Sequence, residues 1–212
     1  MLIYAVADLH GKDQRFAKIE RQLTALHPDV LVIAGDLTNY VNPTPVLARL
    51  NALPVPVLAV RGNTDLKRVE GLLQTYPNLH PLHLSATTIQ KVSIVGLSGT
   101  VPIPFRSRIQ FREKDLFEQA AGLVTAQTVL VAHPPPYGFL DEVAGKIHAG
   151  SRSLYNLVVV CQPAVLLCGH IHERPGITSI GNTVVVNCNL TRGSSGALIE
   201  IDPDRSPTVR LL

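Results

Sequence analysis

The sequence predicts an α/β fold in which two mixed sheets pack together and helices cover their outer faces. Apolar strand-like runs alternate with amphipathic helical stretches in two successive series, and the runs are apolar on both faces, as a covered parallel sheet requires. Short strands separated by Gly, Asn and Pro turns then close the chain, which indicates antiparallel additions to the sheets. No stretch resembles a linker, so we expect a single domain over residues 1–212.

The first part of the chain, residues 2–59, has the pattern strand, helix, strand, helix, strand. The first helix is predicted from apolar residues that recur at three- and four-residue steps between Phe16 and Leu26, with charged residues between them. Proline suits the first turn of a helix, so a short helix is predicted just after Pro43. Another helix is predicted over residues 64–74.

The pattern changes after Pro77, where a β-pair, a helix, a strand, a helix and a strand are predicted before the closing strands. Two long loops interrupt this series, at residues 100–112 and 133–150. Loops of such length inside compact domains are usually functional. The predicted elements are 87–90, 92–97, a helix around 116–123, 128–132, a helix around 154–161, 164–168, 177–180, 183–186, 197–201 and 208–211.

Composition excludes several classes of protein. Apolar residues make up 46% of the 212 residues and charged residues 17%, so the chain can build a core. The net charge is +3 without a basic stretch, which argues against a dedicated nucleic-acid surface but allows a phosphorylated substrate. Cys161, Cys168 and Cys188 have no paired spacing, which favours reduced thiols. The first strand begins at Leu2 and no apolar run approaches membrane-spanning length, so we expect a soluble, cytoplasmic protein.

Five apolar, strand-like runs each end in a cluster of Asp, His or Asn residues: LIYAVADLH, VLVIAGDLT, VPVLAVRGNTD, TVLVAHPPP and AVLLCGHIH. Alternate residues of an extended chain point to the same side, so Asp8 and His10 can hold one ion together, and so can His170 and His172. Open α/β sheets bind ligands beyond the carboxyl ends of their strands, where all of these residues fall. The candidate metal ligands are Asp8, His10, Asp36, Asn63, His133, His170 and His172.

The ligand types indicate a transition-metal site. Carboxylate, imidazole and carboxamide donors without thiolates suit Mn, Fe, Zn, Co or Ni better than Ca or Mg. Seven residues exceed the need of one ion with an open position, and two ions that share a bridging carboxylate fit better. Two-metal sites, with ions about 3.5–4 Å apart, typically hydrolyse phosphate esters. Glycine precedes Asp36, Asn63 and His170, and it allows a sharp turn and a close approach of the backbone.

The ordered motifs DLHG, GDLT, RGNTD, AHPPP and GHIH are similar to those of the calcineurin-like metallophosphoesterase superfamily. AHPPPYGFLD, HAGS and GHIHERPG resemble its branch of small prokaryotic phosphoesterases related to animal metallophosphoesterase-domain proteins. The resemblance implies a four-layer α/β/β/α sandwich of two mixed sheets, with two divalent ions, Mn being the expected metal. It implies attack on phosphorus by a metal-bridging hydroxide. It places Asp8, His10, Asp36 and His172 around one ion and Asp36, Asn63, His133 and His170 around the other, so that Asp36 bridges them.

One position departs from the family pattern. Most members have GNHD or GNHE, in which the histidine is assigned to proton donation or transition-state stabilisation, whereas this chain has Thr64. A hydroxyl cannot supply a proton near neutral pH as an imidazolium does, and positioned acid catalysis contributes roughly a hundred- to ten-thousand-fold. We therefore expect a phosphodiesterase rather than a monoesterase, although activated monoesters are also candidate substrates. The hypothesis is that His148, in the HAGS stretch, approaches the leaving group.

Further polar residues have weaker interpretations. The candidate substrate-binding residues are Thr64, Arg106 and Arg108. The two arginines are candidates because a guanidinium suits a phosphate. For the two arginines, however, a solvated loop is the favoured explanation. Asp65 is predicted to orient the turn around Asn63, and Arg61 to form a local ion pair.

Two functions from different classes remain open. The first is a dinuclear metal-dependent phosphoesterase in which Asp36, Asn63 and His148 carry the chemistry. Its substrate would be small and phosphorylated, with a nucleotide as one candidate. The second is a non-catalytic, metal-binding scaffold on the same fold. Intact ligand positions favour the enzyme, whereas Thr64 favours the scaffold, and metal content together with turnover would decide between them.

Overall fold

The computed structural model describes residues 1–40, 42–99, 118–145, 147–191, 193–202 and 205–212. The helices are α1 (Asp13–Leu26), α2 (Thr44–Asn51), α3 (Arg68–Leu73) and α4 (Arg152–Cys161). A helical stretch also covers residues 118–121. The strands are β1 (Leu2–Val6), β2 (Val30–Ala34), β3 (Val57–Val60), β4 (Leu79–Pro81), β5 (Ala86–Ile89), β6 (Val92–Leu97), β7 (Val129–Ala132), β8 (Glu142–Val143), β9 (Ile147–His148), β10 (Val165–Cys168), β11 (Gly176–Ile180), β12 (Thr183–Asn187), β13 (Ala197–Glu200) and β14 (Thr208–Leu211).

Two mixed six-stranded sheets form the centre of the structure, which confirms the predicted fold class. The strand order of the first sheet is β14-β13-β1-β2-β3-β4, and that of the second is β11-β12-β10-β7-β6-β5. Strands β1 to β4 are parallel to one another, as are β6, β7, β10 and β12. The pairs β1–β13, β13–β14, β11–β12 and β5–β6 are antiparallel. The antiparallel finish predicted from the sequence therefore extends both sheets.

The alternation of side chains along each strand separates the core into layers. On β1, Ile3 and Ala5 pack against residues of the second sheet such as Val131, which forms the layer between the sheets. Tyr4 and Val6 point to the other side and pack against α1 and α2. Every one of these side chains is fully buried. Helix α4 likewise packs on the outer face of the second sheet. The molecule therefore has the four layers that the resemblance implied.

Three features differ from the sequence predictions or lie beyond them. Helix α3 begins at Arg68 rather than at residue 64, because Asp65 is engaged in a turn instead of a helix. The short parallel strand β4 was not predicted. The predicted loop 133–150 contains the hairpin of β8 and β9. The predicted loop 100–112 and residues 116–117 of the predicted helix lie outside the described residues. In the part of the chain that is described, no helix has the length and apolar character needed to span a membrane.

The two sheets meet where the parallel strands end. Beyond β1, the backbone N–H of Ala7 donates to Cys188 O, and Leu190 N–H returns a hydrogen bond to Ala7 O, at 3.0 and 3.1 Å. These bonds join the end of β1 in the first sheet to the segment that follows β12 in the second. The polar clusters of all five motifs follow strands that end at this junction, so their side chains converge.

Candidate metal centre

One half of the site comprises Asp8, His10 and His172. His172 Nε2 lies 3.2 Å from Asp8 Oδ1, and His10 Nε2 lies 3.9 Å from the same oxygen. One potential ligand atom from each of the three residues lies within 4.8 Å of the others, which is a spacing that a single ion can span. The two histidines come from different sheets, and their rings meet edge to face with centroids 5.6 Å apart.

The other half comprises Asp36, Asn63 and His133. His133 Nε2 lies 2.9 Å from Asn63 Oδ1 and 3.5 Å from Asp36 Oδ1. On the opposite side of the ring, His133 Nδ1 lies 2.9 Å from Ala34 O, and since a carbonyl can only accept, Nδ1 carries a proton. That hydrogen bond orients the ring and directs Nε2 toward the site, as partners behind metal-binding histidines commonly do.

Asp36 lies between the two halves. Its Oδ1 faces His133, as above, while its Oδ2 lies 3.7 Å from His10 Nε2. Asp8 also belongs to both halves by distance, since it forms a second potential ligand group with Asp36 and His133. The two halves are therefore contiguous and share carboxylates. That Asp36 bridges two ions is still a prediction.

His170 carries a buried ring nitrogen that no described residue satisfies. Its backbone N–H donates to Asp8 Oδ2 at 3.0 Å, and its ring packs edge to face on His133 with centroids 5.0 Å apart. Its Nε2 atom is buried and has no hydrogen-bond partner among the described residues. Buried polar atoms are nearly always satisfied, so an orphaned imidazole nitrogen on a residue that contacts Asp8 and His133 requires an explanation. A divalent transition metal provides one, because imidazole nitrogen and carboxylate oxygen are its preferred donors. The residues thus fit the implied metals.

Four residues of the site have a strained, left-handed backbone conformation. Asp8, His10, Asp36 and His170 all have positive φ, between 51° and 68°. Non-glycine residues in this region cost free energy and cluster at functional sites. The neighbouring glycines explain how the loops come so close. A Cβ on Gly62 would lie 2.1 Å from Asp36 Oδ1, which no small adjustment could relieve.

Asp65 and Arg61 form contacts close to the candidate ligands Asp36 and Asn63. Asp65 is buried and accepts hydrogen bonds from the backbone N–H groups of Leu37, Thr38 and Gly62, at 2.7–3.1 Å. It therefore joins the loops that carry Asp36 and Asn63, in agreement with its predicted orienting role. Arg61, as predicted, forms an ion pair with Glu70 at 2.9 Å.

Thr64 is buried and contacts His10, a candidate ligand. Its hydroxyl donates to Thr38 O at 2.7 Å and lies 3.2 Å from His10 Nδ1. Because the single hydroxyl proton is used by Thr38, the hydroxyl oxygen accepts from His10 Nδ1–H. The Nε2 lone pair of His10 then faces the carboxylates. The contact of Thr64 with substrate stays a prediction. Its hydrogen bond with His10 gives Thr64 a role in orienting the imidazole ring.

The sequence analysis did not identify another set of supporting residues, which lies behind the GHIH motif. Asn187 and Asn189 are completely buried, and both donate a side-chain N–H to Ile171 O, at 2.9 and 3.1 Å. Thr191 Oγ1 donates to His172 O at 3.0 Å. These bonds hold the GHIH turn from behind. The only sequence signal was the alternation of Asn at the end of VVVNCNLT, which lies far along the chain from the residues it supports.

Burial and neighbouring charge shift the pKa values of the candidate ligands in opposite directions. Burial lowers the pKa of His170 to about 3 and that of His10 to about 4. Burial raises the pKa of Asp36 to about 6. For His133, burial is outweighed by Asp36, Asp8 and the Ala34 carbonyl, which raise its pKa. For Asp8, burial is outweighed by the hydrogen bond from His172 and by the nearby histidines, which lower its pKa.

Three candidate residues from the sequence analysis are not among the groups described above. Arg106 and Arg108 fall outside the described residues. His148 lies on β9, and its Nδ1 is 2.7 Å from Asp141 Oδ1. Sequence analysis also missed Arg15, whose guanidinium donates to the carbonyl of Asp8.

Comparisons with known proteins identify the family and the fold. Residues 1–174 match the model of a family described as calcineurin-like phosphoesterase. An uncharacterized protein of Methanocaldococcus jannaschii is 31% identical over 196 residues, covering 88% of this chain and 87% of that protein. Human metallophosphoesterase domain-containing protein 1 is 41% identical over 64 residues, which span 29% of this chain and only 20% of the human protein. The fold is shared with a dimetal phosphatase from Danio rerio, with a TM-score of 0.68, 14% identity, and coverage of 100% of this chain and 95% of the other.

Proposed function

The chain belongs to the calcineurin-like phosphoesterase family, and we propose that it is a dinuclear metal-dependent hydrolase of phosphodiesters or activated phosphomonoesters. The observation that carries the proposal is the buried Nε2 of His170, which has no partner among the described residues although His170 contacts both Asp8 and His133. A purely structural histidine at this position would be expected to have found a hydrogen-bond partner. The Danio rerio protein of the same fold is named a dimetal phosphatase, which supports two ions rather than one.

The residues would divide between two ions as the family pattern implies. Bound there, two divalent ions would bring the pKa of water toward neutrality and stabilise negative charge on the phosphoryl oxygens. The chain's own contribution is to hold its donors in fixed orientations. His133 is held by Ala34 O and His10 by Thr64, and each ring thereby presents Nε2 to the site. Mn is the metal we propose first, with Fe, Zn, Co or Ni as alternatives that suit the same donors.

The proposed preference for diesters rests on Thr64. A monoester dianion with a poor leaving group needs a proton donor more than a diester with an acidic leaving group does. The Thr64 hydroxyl has its proton engaged by Thr38 O and is buried, so it is not available as an acid. Faster cleavage of an aryl monoester than of the matching aryl diester, with every metal tested, would contradict the preference.

The test of the proposed function measures metal content and hydrolysis together. The purified protein should bind two Mn ions per chain and hydrolyse bis(p-nitrophenyl) phosphate. Asp36→Asn should lower kcat/KM by more than about a hundredfold, since even partners behind the ligands of metal sites are worth roughly 10- to 100-fold. Asp13→Asn is the matched control, because Asp13 is exposed in the first turn of α1, where it pairs with Arg49. One ion or none, with no turnover, would instead support the rival proposal of a non-catalytic scaffold.

We also propose a small phosphorylated substrate, with a nucleotide as one candidate, and a cytoplasmic location. The substrate class is supported by the net charge of +3 without a basic stretch. The location is supported by Cys161, Cys168 and Cys188, which are all free thiols, as in proteins of reducing compartments.

A further inference from the structure

A buried carboxylate organises the hairpin of β8 and β9. Asp141 is fully buried and accepts three hydrogen bonds. Two come from the backbone N–H groups of Gly138 and Gly150, each at 3.0 Å, and the third comes from His148 Nδ1 at 2.7 Å. A carboxylate that is buried and bonded in this way is held rigidly, and it fixes the imidazole that it contacts. His148 and Asp141 thus form an orienting pair of the kind that positions a proton-transfer histidine.

Contacts at both ends attach this hairpin to the segments that carry the metal-centre residues. Ser151 N–H donates to Pro135 O at 2.9 Å, just beyond the end of β7. On the other side, Glu142 forms an ion pair with Arg174, two residues after the GHIH motif. The hairpin is therefore anchored between the AHPPP and GHIH motifs, at the same edge of the sheets as the candidate ligands.

The imidazole of His148 is accessible and supported. Its side chain is 40% exposed, and its Nε2 makes no hydrogen bond within the described residues, so this atom is available to donate a proton. The ring packs on Tyr137 with centroids 5.4 Å apart, and the guanidinium of Arg152 covers Tyr137 at 3.8 Å. The hydrogen bond and charge of Asp141, followed by the charge of Glu142, raise the pKa of His148. A larger share of the imidazole is therefore protonated at neutral pH.

We propose that His148 donates the proton to the leaving oxygen during hydrolysis, with Asp141 as its positioning residue. The proposal rests on the proposed function. The bond between phosphorus and the leaving oxygen breaks, and that oxygen takes the Nε2 proton of His148. Water supplies the oxygen that becomes bonded to phosphorus, and its released proton restores the imidazolium. Asp141 does not touch the substrate; it holds the ring in place and stabilises its charged form.

The experiment compares leaving groups of graded acidity on the manganese-loaded enzyme, from p-nitrophenol to unactivated alcohols. With His148→Ala, kcat should fall by about 10²- to 10⁴-fold for the poorest leaving group. For p-nitrophenyl esters, whose leaving group needs no proton, the loss should be less than about tenfold. The matched control is His80→Ala, an exposed histidine on β4 that should leave all substrates unaffected.

Asp141→Asn tests the positioning role through the pH profile. As a general acid, His148 is active when protonated, so kcat for a poor leaving group falls as the pH rises through its pKa. Loss of the Asp141 charge lowers that pKa, and the alkaline limb should move to lower pH. The NMR titration of the His148 ring should show the same displacement. A lower rate with an unmoved limb and an unmoved titration would mean that Asp141 only supports the loop, and would contradict its role.

The remaining outcomes separate this proposal from the proposed function. An equal loss in His148→Ala for all leaving groups, or no loss, would refute the role of His148 while the wild-type enzyme still turned over. No turnover by the wild-type protein on the whole series, with each transition metal, would refute the proposed function and this role with it.

Discussion

Replacement of His170 by phenylalanine should have opposite effects on the stability of the protein with and without metal. In the chelated protein, His170 is neutral, because burial lowers its pKa to about 3, and its buried Nε2 lacks a partner among the described residues. An unsatisfied buried polar group costs about 1–3 kcal/mol. Phenylalanine keeps the edge-to-face contact with His133 and removes the orphaned nitrogen. His170→Phe should therefore make the chelated protein more stable.

The expected change in Tm follows from the length of the chain. For proteins of about 150–250 residues, 1 kcal/mol shifts Tm by roughly 2–4 °C. Removal of the orphaned nitrogen should thus raise Tm by about 2–12 °C in the presence of a chelator. A metal at a hundred times its Kd stabilises the wild-type protein by about 2.7 kcal/mol. That corresponds to about 5–11 °C, and His170→Phe should lose most of this gain.

Differential scanning calorimetry in EDTA and in MnCl₂ measures both effects. The matched control is His172→Phe, the same chemical change at a residue whose Nε2 is 3.2 Å from the buried carboxylate of Asp8. That variant removes a partner from Asp8 and should lower Tm in EDTA. A lower Tm for chelated His170→Phe, or an undiminished response to manganese, would refute the argument from the orphaned nitrogen.

Two further predictions concern residues behind the ligands. Gly62→Ala should abolish the thermal response to manganese, because its Cβ would lie 2.1 Å from Asp36 Oδ1; Gly71→Ala, with open space around it in α3, should instead raise Tm slightly. Normal manganese binding by Gly62→Ala in titration calorimetry would contradict the first expectation. Asn189→Ala should weaken manganese binding by roughly 10- to 100-fold, since it leaves a carbonyl of the GHIH turn less well held. Asn156→Ala, on the exposed side of α4, should bind manganese as the wild type does, and equal affinities for the two variants would refute this role.

The sequence predicted most of the strands and the convergence of the candidate ligands, because both depend on local pattern. Asp8 and His10 were paired by their spacing, and strand ends of parallel sheets meet at one edge. The late start of α3 could not be predicted this way. Asp65 has the sequence context of a helical residue, but the backbone groups that it accepts from belong largely to the loop after β2, which is distant in the chain.

The roles of the supporting residues could not be predicted from the sequence for a related reason. Asn189 contacts the carbonyl of Ile171, 18 residues earlier, and nothing in the pattern around either residue indicates the other. Asp141 was present in the predicted functional loop, yet its pairing with His148 depends on a hairpin that only the folded structure reveals. Motif spacing predicts which groups gather, whereas the bonds that orient them depend on loop geometry.

The division of the ligands between the sheets has a consequence for folding. Asp8, His10, Asp36 and Asn63 follow strands of the first sheet, whereas His133, His170 and His172 follow strands of the second. Each half of the site draws on both sheets, as in the contact of His172 with Asp8 and that of His133 with Asn63. Ions held there would join the sheets at the edge where their backbones also exchange hydrogen bonds through Ala7. Metal binding and the packing of the two sheets should therefore be thermodynamically coupled, and the stabilisation by metal should extend to the apolar layer between the sheets as well as to the loops.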